Sequence, residues 1–128
     1  MSNVKKLILL LATVTLMNAE VYELRTYTAA EGKLAALHAR FRDHTLKLFK
    51  KHGMVNVAYW SPSDDPLKKD TLIYVVKHAS REAAAHSWAA FRKDPEWLKA
   101  KAESEKNGVL TKKVEAVFMD ATDYSPMK

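Results

Sequence analysis

Few side chains in this sequence can do chemistry. The 128 residues include five histidines and no cysteine, so thiolate catalysis, disulfides and cysteine-bound zinc are excluded. Three of the histidines fall in one stretch, "LHARFRDHTLKLFKKHGM". His38 and His52 are fourteen residues apart, about 21 Å along a helix, and cannot share a metal. No pair has the i, i+4 spacing of a helical HExxH site, and Asp43 points away from the face of His44. Metal binding within the helix is therefore not expected. His52 belongs in a last turn, where its cation suits the negative end of the helix dipole. His86 falls opposite Phe91 and faces solvent, and His78 ends a strand near a loop. His44 sits on a flank of the helix that faces a sheet. There it can serve as acid, base or axial ligand in a pocket.

Arg25, Tyr27, Trp60, Tyr74 and Trp88 complete a set of six candidate ligand-binding residues with His44. A guanidinium can hold a carboxylate, and aromatic rings can stack on a planar ligand. Each also has a plain structural reading. Arg25 can pair with Glu23 or Glu115 across a sheet, and the rings can be core. No Gly-rich phosphate loop, nucleophile elbow or clustered metal ligands occur. The sequence points to no catalytic residue and calls for no cofactor; an oxidation would need haem or activation by the substrate itself.

The elements that position these residues follow from pattern. "EVYELRTYT" alternates, with Tyr22, Leu24 and Thr26 on one face and Val21, Glu23, Arg25 and Tyr27 on the other. A helix over about 31–52 puts Leu34, Leu37, Phe41, Thr45 and Leu48 on one face, with Lys33, Arg40, Asp43, Lys47 and Lys50 opposite. Gly53 is placed to end it. Strands are expected over 54–60, 71–78 and 113–120. In the second, Val55, Val57 and Tyr59 oppose Asn56, Ala58 and Trp60. In the third, Thr71, Ile73 and Val75 oppose Leu72, Tyr74 and Val76. Ser80 caps a helix over 81–93 with Ala84, Ser87, Trp88 and Phe91 inward. Asp94-Pro95-Glu96 starts another, ended by Gly108.

This β-α-β-β-α-β order is the α+β, ferredoxin-like arrangement: a four-stranded antiparallel sheet with helices on one face. Both sides of the third strand are apolar, so the bare face predicts a homodimer packed sheet to sheet. RNA recognition shares the strand order, but "TLIYVVKH" lacks its glycine and paired aromatics, so no nucleic-acid partner is expected.

The first residues have the order of an export signal. Lys5 and Lys6 precede eleven apolar residues, Leu7 to Met17, and the small Ala19 precedes Glu20. About 16 Å of apolar helix is short against a hydrocarbon core of roughly 30 Å. We expect residues 1–19 to be a cleaved signal peptide and 20–128 to be one domain without a transmembrane span, periplasmic or secreted. Without the leader's two lysines the formal charge falls from +6 to +4. The other lysines are scattered over a solvated surface.

"YELRTYT", "RFRDHTLKLFKKHGM", "TLIYVV", "SREAAAHSWAAFRKDPEW" and "TDYSP" together resemble the NIPSNAP family across nearly all of the expected mature chain. The resemblance implies a dimeric α+β barrel, in which two ferredoxin-like subunits pair their sheets. It implies no agreed catalytic residues. Related barrels include haem-degrading and quinone-forming monooxygenases and small binding proteins. Two functions follow as expectations. One is binding of a small hydrophobic or aromatic molecule between sheet and helices. The other is a non-catalytic dimer that binds protein or a surface. A deep pocket with convergent polar groups favours the first, a filled core the second.

Overall fold

The computed structural model describes residues 19–128. The expected signal peptide lies outside the described residues, apart from Ala19. Four strands, β1 (Val21–Ala29), β2 (Val55–Trp60), β3 (Thr71–His78) and β4 (Thr111–Met119), form one antiparallel sheet in the order β2-β3-β1-β4. This is the ferredoxin-like arrangement.

The first helix, α1, is continuous from Leu34–Arg40 through a wider, π-helical turn at Phe41–Thr45 into Leu46–Lys51. Thr45 Oγ1 donates to the Arg40 carbonyl at 3.3 Å within that turn. Leu37, Phe41, Thr45 and Leu48 are buried, as the helical period requires, and so is Phe49. Gly53 ends the helix at φ +83°, a left-handed conformation that glycine adopts without strain.

Helices α2 (Arg81–Lys93) and α3 (Pro95–Ser104) start as their caps dictate. Ser80 Oγ accepts from the Ala83 amide, and Asp94 Oδ1 accepts from the Glu96 amide. Asp94 Oδ2 also takes Lys51 Nζ at 2.8 Å and His52 Nε2 at 2.7 Å. Those two contacts hold the Asp94 carboxyl well below its usual range. His52 thus ties the end of α1 to the α2–α3 junction.

The core lies between α1, α2 and the sheet. Phe49 meets Trp88 and Phe91 edge-on at ring distances of 5.2 and 5.1 Å. Tyr59 stacks on Tyr74 at 4.9 Å. The strand pattern needs one correction. A bulge between Asn56 and Ala58 adds a residue to β2. Asn56 and Tyr59 therefore both face the helices, while Val55, Ala58 and Trp60 share the other face. Strict alternation fails because an unpaired residue resets the period of two.

Arg40 is a second correction. The helical period puts it on a solvent face, but α3 covers that face. Its guanidinium lies 5.0 Å over the Trp97 ring, with Nη1 3.3 Å from Ser104 Oγ and 3.6 Å from the Glu105 carboxylate.

Candidate functional site

On the helix-covered face, β1 presents Glu23, Arg25 and Tyr27 in alternate positions. Register places His78 opposite Val21 and Tyr74 opposite Arg25, so both join this row from β3. Trp88 descends on it from α2. Glu23 is 2% exposed and His78 1%. Glu23 Oε1 accepts from Trp88 Nε1 at 2.8 Å and pairs with His78 Nε2 at 2.9 Å; Oε2 accepts from Arg25 Nη1 at 2.8 Å. Burial pushes the Glu23 carboxyl up, but the hydrogen bonds from His78, Trp88 and Arg25 outweigh it and hold it at about 2. An ionised carboxylate only accepts, so His78 Nε2 is the donor.

The Arg25 guanidinium stacks 4.2 Å over Trp88 and reaches Tyr27 Oη at 3.4 Å. Tyr74 Oη donates to Tyr27 Oη at 3.0 Å, and Tyr59 Oη to Asn56 Oδ1 at 2.6 Å. Burial pushes the Tyr74 and Tyr59 hydroxyls up, so they stay protonated donors. This is a closed network in which charges and hydroxyls hold one another. Arg25 Nε and His78 Nδ1 have no protein hydrogen-bond partner.

Four of the six candidate residues, Arg25, Tyr27, Tyr74 and Trp88, therefore come together. His44 does not join them. It lines surface grooves between α1 and α3 with Ala100 and Glu103, so its flank faces α3 and not the sheet. Trp60 lies on the opposite face of the sheet, as the β2 bulge requires. Glu23 and His78 are the residues that pattern reading missed. Glu23 shares its face with Arg25 by simple alternation, which is a signal. His78 joins only through a register 55 positions away along the chain. Among the described residues, no cluster of three or more His, Asp or Glu is placed to hold a metal, and no helix is long and apolar enough to cross a membrane.

Among the described residues, no helix lies on the other face of the sheet. Its cross-strand rows are Val55-Lys77-Tyr22-Met119, Ala58-Val75-Leu24-Val117 and Trp60-Ile73-Thr26-Glu115. Trp60 is 52% exposed and Val117 56%. After β4, residues 120–127 fold back toward this face. They wall a groove of about 340 Å³ whose other side is Tyr22, Val57, Trp60, Val75 and Met119. The tail is held as a tight turn, with the Ser125 amide on the Thr122 carbonyl at 3.1 Å and Ser125 Oγ on the Met127 carbonyl at 2.7 Å.

Solved structures share this architecture. A NIPSNAP family protein of unknown function from Agrobacterium tumefaciens superposes with a TM-score of 0.73 at 22% identity, covering 87% of this chain and 96% of its own. A NIPSNAP-like domain protein from Burkholderia xenovorans gives 0.71 at 15% identity, over 85% and 90%. SnoaB, a cofactor-independent oxygenase from Streptomyces nogalater, gives 0.57 at 17% identity, over 84% and 98%. At these identities the likeness is one of fold. No functionally curated protein matches the chain significantly. The NIPSNAP family model matches residues 22–126, from the first residues of β1 through the tail turn, and the chain belongs to the NIPSNAP family.

Proposed function

We propose that this chain works as an exported homodimer that holds a small hydrophobic or aromatic molecule in the groove on its open sheet face. The observation that carries this reading is the groove itself: about 340 Å³, largely apolar, on a face that the helices of the described residues leave bare. Small-molecule sites run from about 300 to 1,000 Å³ and pair apolar walls with a few polar groups. Tyr22 and Trp60 supply rings for stacking. The ligand thus moves away from Arg25 and His44, since Arg25 is already taken by Glu23 and Tyr27.

Beside the groove, Leu24, Ile73 and Val117 form an apolar band with Lys77, Lys113 and Glu115 around it. An apolar centre with a charged rim suits a protein interface. A second copy laid on this band would close two sheets into a barrel. Export rests on the leader, Lys5-Lys6 followed by Leu7 to Met17. A chain from the native host whose intact mass still includes residues 1–19 would remove that part of the reading. The oxygenase likeness transfers neither a reaction nor a residue.

The filled inner face favours a second reading, a non-catalytic interaction module with the same dimer and no ligand. Light scattering and titration calorimetry on the purified chain separate the two. We expect a two-chain mass, reduced to one chain in Leu24→Lys. We also expect binding of aromatic probes such as 1-naphthol, weakened in Trp60→Ala. A single-chain mass for wild type at micromolar concentration would end the dimer. A dimer that binds no aromatic probe would leave the interaction module.

A further inference from the structure

We propose, on the groove reading above, that the molecule held there carries an ammonium head on its apolar body, with Asp120 as the specificity-determining residue. The two sides of the groove differ. One is Tyr22, Trp60 and Val75, and the tail side adds Asp120, Thr122 and Ser125 to the apolar Ala121 and Met127. Those three polar residues present acceptors. Asp120 is exposed and, among the described residues, forms no ion pair. Ser125 Oγ has its proton committed to the Met127 carbonyl at 2.7 Å, so it offers only lone pairs.

The nearby cations are engaged elsewhere. Lys77, in the same cross-strand row as Tyr22, holds Glu20 at 2.9 Å. Lys128 Nζ donates to the Asp123 carbonyl at 2.6 Å. In a chain of net positive charge, the apolar groove therefore carries a carboxylate, Asp120, that no cation pairs among the described residues. An ammonium group meets a carboxylate and hydroxyl acceptors there in charge-assisted hydrogen bonds, and its carbon body lies against the rings. A carboxylate head would meet Asp120 with like charge.

The test is titration calorimetry of the full chain with two probes of equal apolar body, 2-(1-naphthyl)ethylammonium and 1-naphthylacetate, at about 0.15 M salt to screen long-range attraction. We expect the ammonium to bind about tenfold tighter, the size of one charge-assisted contact. Asp120→Asn should bring the two probes to parity, and Trp60→Ala should weaken both alike. Non-specific attraction to a basic protein would favour the carboxylate, so the expected order runs against net charge. The proposal falls if 1-naphthylacetate binds as tightly, or if Asp120→Asn leaves the preference unchanged. If neither probe binds while other aromatic probes do, the ammonium proposal falls and the groove stands. If no aromatic probe binds, both fall.

Discussion

On the helix-covered face of the sheet, Glu23, Arg25, Tyr27, Tyr74 and Trp88 touch one another. Leu24, Ile73 and Val117 lie on the other face, which no helix of the described residues covers. Chemical potential and chemical availability thus lie on different faces of the sheet. The reactive groups Glu23, Arg25, Tyr74 and His78 of the sheet lie on the covered face, and almost all of their hydrogen-bonding capacity is used inside the protein. Burying a charge is tolerable only when it is paired and hydrogen-bonded, so a closed network is the stable outcome there. The open face has its charged groups at the rim and much unburied apolar area at its centre, so its stability improves when something covers it. Binding is expected where surface is unsatisfied, and not where the most interesting side chains are.

Phe41→Ala should have the largest effect on the covered face. Phe41 packs on Tyr27, Phe49, Tyr59 and Tyr74 at ring distances of 5.2–6.2 Å, and truncation should cost about 3–5 kcal/mol in urea denaturation. A wild-type midpoint would mean that the covered face is not tightly packed.

Glu23→Gln should follow at about 3 kcal/mol, because it removes the counter-charge of a largely buried arginine. The same residue sets an acid response. Its folded pKa, about 2, lies below the usual 4.5, so its contribution is fully present above pH 4.5 and is lost as pH falls toward 2. Denaturation midpoints of wild type should fall over that window, and those of Glu23→Gln should fall less. Equal acid sensitivity in the two would show that the network is not closed around Glu23.

Trp60→Ala should change monomer folding by less than about 1 kcal/mol, since half of the side chain is already in water. Its effect should appear in binding. A folding loss as large as that of Phe41→Ala would erase the contrast between the faces.

Elements whose rules are local were legible. The β1 alternation, the caps at Ser80 and Asp94, the stop at Gly53 and the inner face of α1 each depend on neighbours within a few residues, and the structure matches them. The solvent exposure of His86 was legible too. His78, expected near a loop, is instead among the most buried groups, because Glu23 hydrogen-bonds it and the Trp88 ring packs 6.3 Å away, both from distant segments.

By itself the sequence determined the order of elements, the family and the residues with chemical potential, since composition, period and caps act over one or two turns or strands. The tertiary structure alone decided which of those residues meet. The β2 bulge sent Trp60 outward and Tyr59 inward, α3 buried Arg40 and drew His44 to its own side, and the β1–β3 register set Glu23 beside His78. Each outcome depends on a partner segment remote in the chain, and a hydrogen-bond register or a helix crossing exists only once both segments are in place.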